Sequence, residues 1–252
     1  MATIGPRVYG LGAIVLGVPL LVFGTFAVSG LGVPSHTPGY HYLVYASAVL
    51  LILAGVAINA PRLAGAAALV LAVFFALMIL AAPLPQALAQ PRVWVSWEDL
   101  AESMVKALGG VLAYTLVSRD KGAGATAIGR VARPLFGLCL VVFGISEFVY
   151  AKFTASMVPA WLPPSQLAWA YITGAAQIAA GLAILTGVGA RLAAVLLTAM
   201  YLGFTLLVHL PRVLSHSPTP MNWAENGTNL VLAGAAWCLA ESLARRASKR
   251  SD

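Results

Sequence analysis

Acidic side chains are scarce in this chain: Asp and Glu together number 8 against 15 Lys and Arg, and charged residues make up only 9% of the 252. A water-soluble domain carries roughly a quarter charged residues, because its surface must be hydrated. With 60% hydrophobic residues, most of this chain's outer surface must meet something other than water. Cysteine is scarcer still. Cys139 and Cys238 each lie inside an apolar run, outside any Cys-x-x-Cys pair and with no His at metal-ligand spacing. Dithiol redox chemistry and a zinc site are therefore not expected, and the two read as small buried hydrophobes. The sequence has no Ser/His/Asp arrangement, no His-Glu-x-x-His motif and no haem, iron–sulfur or flavin motif. No catalytic residue is assigned, and any enzymatic role would be that of an oxidoreductase subunit.

What the chain does have is long apolar runs, at about 8–29, 41–60, 63–83, 99–117, 131–151, 167–187, 190–209 and 226–243. A helix crosses a bilayer with about 20 such residues. The expected fold is all-α: a polytopic membrane protein of about eight transmembrane helices with short loops. The run at Leu11 to Phe26, with Ala27 and Ser29 behind it, has some look of a signal peptide, but only Arg7 precedes it and it is read as a retained helix. The fourth run is the weakest, since it opens with Glu98, Asp99 and Glu102 and contains Lys106.

Basic residues decide whether that run counts. With eight spans, one side holds Arg7, Arg62, Arg119, Lys121, Arg130, Arg133, Arg191, Arg245, Arg246, Lys249 and Arg250, and the other only Arg92, Lys152 and Arg212. Such a bias marks the cytoplasmic side. The expectation is a cell (inner) membrane protein with both termini cytoplasmic; a seven-helix chain would carry its basic tail on the wrong face. The net charge of +7 then reads as topology signal and attraction to anionic lipid, not as a nucleic-acid surface.

The halves resemble each other in order. Val22-Phe23-Gly24 returns as Val142-Phe143-Gly144, with Gly17 falling on Gly137. Ala54-Gly55 answers Ala180-Gly181, Arg62-Leu63-Ala64 answers Arg191-Leu192-Ala193, Leu84-Pro85 answers Leu210-Pro211, and Trp97 answers Trp223. The organisation expected is a four-helix repeat at 1–117, a polar, Gly-rich cytoplasmic linker at 118–130 and a second four-helix repeat with a basic tail at 131–252. An even number of helices per copy makes the two bundles parallel. Gly17 with Gly24, Gly137 with Gly144, and the stripe Ala64, Ala68, Ala72 are faces for close helix packing.

The second half also carries a family likeness. Arg133 precedes a Gly-bearing helix ending Gly144-Ile-Ser-Glu147 and Lys152; Pro159, Gly174-Ala-Ala-Gln177, Gly181, Gly187 and Arg191 follow, then His209, Pro211, Trp223 and Asn229. This resembles the DoxX family of small four-helix membrane proteins, in two tandem copies with the first degenerate. Members often have an acidic residue where this chain has Gln177. The resemblance implies a subunit or accessory protein of a larger membrane complex, with a link to quinone and electron transfer.

Polar side chains at bilayer depth are costly and call for a partner or a purpose. Glu147, Gln177, His209, Trp223, Asn226 and Asn229 fall toward the outer side of the second half and are the candidate ligand or quinone pocket. The first half has Ala27, Leu51 and Pro83 at the places of Glu147, Gln177 and His209. Each candidate has a structural reading too: Trp223 as an interfacial anchor, His209 as a helix end, the asparagines as caps and bridges, Glu147 as a partner of Lys152 or His209. Glu102 and Lys106, spaced i, i+4, are expected to form a structural pair. The alternatives for function are a small-molecule transporter or binding protein and a purely structural subunit. Prolines at helix ends (Pro34, Pro61, Pro83, Pro134, Pro159, Pro211) count against the transporter. Lipid and other membrane subunits are the expected partners.

Overall fold

The structure, a computed structural model, describes residues 3–26, 33–118, 123–215 and 219–251. Among them it is wholly helical. The elements are α1 (Gly5–Phe23), α2 (Tyr40–Ala57), α3 (Ala64–Ala81), α4 (Pro83–Ala89), α5 (Trp94–Val117), α6 (Ala123–Val149), α7 (Ala151–Met157), α8 (Gln166–Thr186) and α9 (Ala190–Phe204). A π-helical turn at Thr205–His209 leads into α10 (Leu210–Ser215), and α11 (Pro220–Ser251) closes the chain. Seven helical stretches are long and apolar enough to cross a membrane: α1, α2, α3 with α4, α5, the part of α6 from Gly129, α8, and α9 through Leu214. The expected polytopic helical character is present at that level.

The last helix is not among the seven, for a physical reason. Asn222, Glu225, Asn226 and Asn229 lower its mean hydropathy, yet Val231, Ala233, Ala235, Ala236, Cys238 and Leu239 are completely buried. A helix wrapped by protein does not need an apolar surface all round. It runs antiparallel to α1 at near-backbone contact: a Cβ on Gly5 would meet the Cys238 nitrogen at 2.7 Å, and one on Gly227 the Leu16 nitrogen at 2.6 Å. Contacts along α1 therefore begin at its first residue and continue past its middle. At the start of α1, Glu241 of α11 accepts hydrogen bonds through Oε1 from the Ile4 and Gly5 amides (2.8 and 3.4 Å) and the Trp237 indole (3.0 Å). A carboxylate there complements the helix dipole.

The helix pairs recur. In the first half α1 packs on α2 and α3 on α5; in the second α6 packs on α8 and α9 on α11. Across the halves α5 packs on α6 and α11 on α1, with α5 and α11 in contact between them. The α1–α2 seam brings Gly10 to Gly55 and Ile58, and Gly17 to Ala48 and Ile52; the α6–α8 seam brings Gly137 to Gly181 and Ile184, and Gly144 to Gly174 and Ile178. Corresponding residues on α1 and α6 are thus one heptad away from the pairing of Gly17 with Gly137. Seven residues are two turns, so the glycine pattern can slip by a heptad and stay on the same helix face. Gly24 caps α1 with φ of 62°, and a Cβ there would meet the Tyr45 hydroxyl of α2 at 2.9 Å. The alanine stripe does pack, with Ala72 against Gly110 of α5.

Other boundaries also differ from expectation. α6 begins at Ala123, inside the segment read as linker, and Pro134 lies within the helix rather than at its end. The helix thus runs through Gly124 and Gly129, with Ala123, Ala125 and Ala127 as the strong helix formers of that stretch. Arg119 and Lys121 fall outside the described residues, as do Ala27 and Ser29.

Candidate functional site

Lys106 lies twelve residues into α5, about 18 Å along its axis and halfway through the span. Its side chain is 0% exposed, and its ammonium reaches Glu102 Oε1 at 2.8 Å. The expected pair forms. Its backbone carbonyl accepts the Tyr9 hydroxyl at 2.6 Å, which ties this level of α5 to α1. One turn before Glu102 stand Glu98 and Asp99, each half-buried. α5 thus presents Glu98, Glu102 and Lys106 at four-residue spacing, a polar ladder about 6 Å per step on one face.

The wall opposite comes from α6, α8 and α9. Trp94 Nε1 donates to Ser146 Oγ at 2.7 Å, and the Val95 amide donates to Tyr150 Oη at 3.1 Å, so the start of α5 is locked to the end of α6. That places Glu98 beside Ser146 and near the Glu147 and Glu102 carboxyls, while Asp99 lies near Glu102 and Lys106. Glu147 itself faces the side chains of Thr154 and Gln177. α8 comes this close because Gly174 has no side chain: a Cβ there would sit 2.8 Å from Glu147 Cβ. Tyr201 on α9 lies within electrostatic range of both Glu147 and Glu102.

Among the described residues several buried polar atoms have no protein partner: Glu147 Oε2, Gln177 Oε1 and Tyr201 Oη, as well as Thr205 Oγ1 in the π turn and Ser96 Oγ on α5. Gln177 and Tyr201 are each only 3% exposed. Buried polar atoms are nearly always satisfied, and leaving one orphaned costs about 1–3 kcal/mol. Glu147 and Tyr201 thus carry unpaired polar atoms close to the carboxyls of α5.

A second group sits on α11. Asn229 Nδ2 approaches His209 Nε2 at 2.9 Å and donates to the Glu225 carbonyl at 3.2 Å. Glu225 Oε2 stands 3.4 Å from His209 Nδ1, at ion-pair distance but outside hydrogen-bond geometry. His209 lies in the π turn, where Leu210 N–H bonds back to Thr205 rather than Leu206. Pro211 follows; it has no N–H to give, and its ring would crowd the Leu207 carbonyl of a regular helix, so the widened turn relieves it.

The six expected pocket residues therefore divide. Glu147 and Gln177 join the α5 ladder, whereas His209 and Asn229 form the second group with Glu225. Asn226 is buried with Oδ1 unpaired, and Trp223 is half-buried with no described side-chain hydrogen bond. Among the described residues Glu147 forms an ion pair with neither Lys152, which is exposed on α7, nor His209. Glu98, Asp99, Ser146, Tyr201 and Thr205 were not among the expected site residues. The signal was present in the sequence: Tyr201, Thr205 and His209 recur every four residues on an apolar helix, as do Glu98, Glu102 and Lys106. Cys139 and Cys238 are buried free thiols, as expected. No group of three or more His, Cys, Asp or Glu side chains among the described residues is arranged to hold a metal ion.

Fold and site together define a polytopic helical membrane protein with a polar cluster inside its bundle. A family described as a domain of unknown function (DUF8561) matches residues 136–234, the stretch from α6 into α11. No curated protein and no solved structure matches the chain. The match overturns the DoxX resemblance, because the family found over the very helices that carried it is a different one. Of the residues that carried the likeness, Gly144, Gly174 and Gly181 lie together with Gly137 in one helix seam. Close helix crossing in lipid calls for small residues in any family, so such a pattern reports packing before ancestry.

Proposed function

We propose that the chain is a carrier of the cell (inner) membrane that takes up protons or a small cation at the acid–lysine ladder of α5. The observation that carries this reading is the imbalance of charge along the cluster: Glu98 lies near Glu102, Asp99 and Glu147, while the one ammonium, that of Lys106, is paired with Glu102 and lies near Asp99. An ionised side chain in a span costs about 2.5–3.5 kcal/mol on insertion scales, so four carboxyls to one ammonium hold protons or a cation when at rest in lipid. The ladder starts near the beginning of α5 and ends at Lys106, beyond which Tyr9, Gly109, Gly110 and Leu112 are tightly packed. The π turn at Thr205–His209 supplies the irregular backbone that the proline positions alone did not promise.

The finer topology belongs to the same reading. α11 follows α1 in antiparallel contact, so it crosses wherever α1 crosses, which makes eight spans in two parallel four-helix repeats at 1–117 and 131–252. The recurrence of helix pairs and of the glycine seams supports the repeat. The arginine and lysine bias supports cytoplasmic termini and an outward-facing ladder. Purified chain in liposomes loaded with a pH-sensitive dye is expected to dissipate an imposed pH gradient. Glu147→Gln is expected to slow that flux roughly a hundredfold, the scale of losing a positioned proton acceptor. Wild-type flux no faster than empty liposomes would remove the carrier reading.

One observation favours a second reading, an accessory subunit of an electron-transfer complex that touches quinone. His209 stands beside the Glu225 carboxylate, and an imidazole paired with a carboxylate is a common proton-relay unit. Electrons would come from partner subunits. Membranes carrying the Glu147→Gln, His209→Ala double variant are then expected to lose quinone reduction, and wild-type rates there would dismiss this alternative.

A further inference from the structure

Away from the ladder, the opposite end of the bundle holds a cleft of about 350 Å³ between the start of α1, the α2–α3 turn and the ends of α5 and α11. Arg7 and Arg245 stand on its walls with the Asn59 amide. A second cleft of about 210 Å³ adjoins it across Pro61 and Val117 and is lined by Arg62 and Tyr114. Three guanidinium groups thus surround one corner of the molecule, and among the described residues no carboxylate lines either cleft. None of the three forms an ion pair among the described residues. The nearest carboxylate of α11, Glu241, is engaged by the α1 amides and Trp237.

Arg245 is held in place. Its Nη1 donates to the Leu116 carbonyl at 2.8 Å, a backbone acceptor freed by the end of α5, and its remaining donors are left for a guest. The depth is equally informative. The spans begin or end at Gly5, Ala57, Ala64 and Val117, so the cleft lies at the level where lipid tails give way to headgroups. Guanidinium binds phosphate oxygens in a two-pronged geometry that an ammonium cannot match.

We propose that this cleft is a phosphate-binding site, with Arg7 and Arg245 as the paired ligands and Arg62 as the flanking charge. The phosphate comes from an anionic phospholipid headgroup of that leaflet or from a soluble phosphate ester. Full-length protein, stripped of lipid in a neutral detergent, is titrated with dioleoyl-phosphatidylglycerol, dioleoyl-phosphatidylcholine or glycerol 3-phosphate and followed by native mass spectrometry. One phosphatidylglycerol per chain is expected to survive desolvation. Arg7→Gln with Arg245→Gln should weaken its binding roughly tenfold or more, at about 1 kcal/mol per basic residue near the headgroups. Arg7→Gln alone, which alters an exposed side chain with no described hydrogen bond, should give part of that loss without touching the fold. Arg212→Gln on the other face should give none. Glycerol 3-phosphate displacing the lipid at equal concentration assigns the site to a soluble ester; failure to displace assigns it to the bilayer. Equal retention of phosphatidylcholine and phosphatidylglycerol, with wild-type binding in the double variant, overturns the proposal.

Discussion

Gly234→Leu is expected to abolish recovery of folded protein. A Cβ at Gly234 falls on the backbone nitrogen and Cα of Tyr9, where no side chain can swing aside. Overpacking a core usually costs about 1–3 kcal/mol, by displacing side chains. Here the obstacle is the α1 backbone, and Tyr9 is also the residue whose hydroxyl holds the Lys106 carbonyl. Moving α1 outward would break that bond and lift Gly12 and Leu16 from α11 as well, since a Cβ on Gly227 already reaches the Leu16 nitrogen. In lipid there is little hydrophobic drive to offset the lost fit, because tails are as apolar as leucine. The readout is the monodisperse fraction in size-exclusion chromatography after mild detergent extraction. Gly203→Ala is the control: a Cβ there meets nothing within 4 Å, and the protein should extract as the parent does. A normal profile for Gly234→Leu would mean that α1 and α11 do not cross as closely as described.

Lys106→Met should have the next largest effect, and it should be reversible by a second change. Breaking a buried pair by removing one partner costs about 3–5 kcal/mol, because the other charge is left alone in a poor solvent. Lys106 is fully covered, while Glu102 keeps 22% exposure. Lys106→Met therefore strands Glu102 beside Glu98 and Asp99, three carboxyls with no cation among them. The double variant Lys106→Met, Glu102→Gln removes the stranded charge and should regain most of the loss. Thermal unfolding of all four proteins in one detergent forms a double-mutant cycle. If the double variant is no more stable than Lys106→Met, the pair is not the structural unit described.

Much of the fold was legible because its causes are local. Long apolar runs mark out helices long and apolar enough to cross a membrane, and seven such helical stretches are present among the described residues. The seams of Gly137 with Gly181 and Gly144 with Gly174 were visible as glycines on one face, though not which residue each would meet. A sequence shows the face of a helix but not its height, and the heptad slip between the halves is that ambiguity realised. The family likeness failed for the same reason, since small residues at helix crossings recur wherever helices cross closely.

The candidate site was half legible. Glu147, Gln177, Glu102 and Lys106 could be singled out because each is costly in its apolar surroundings. Their convergence could not, since Glu102 and Glu147 lie on different helices, in what had been read as different repeats. Only the packing of α5 on α6, pinned by Trp94 on Ser146, carries the carboxyls of the first half to those of the second. His209 went the other way, to Asn229 and Glu225, because the π turn rotates it out of the register that a regular helix would have given.

By itself, then, the sequence determined the solvent, the helices and their polar exceptions, since those depend on the free energy of placing each residue in lipid. The tertiary structure alone decided which exceptions meet, since helix height and rotation are settled by backbone contact at Gly12, Gly174 and Gly234 rather than by any residue's own preference.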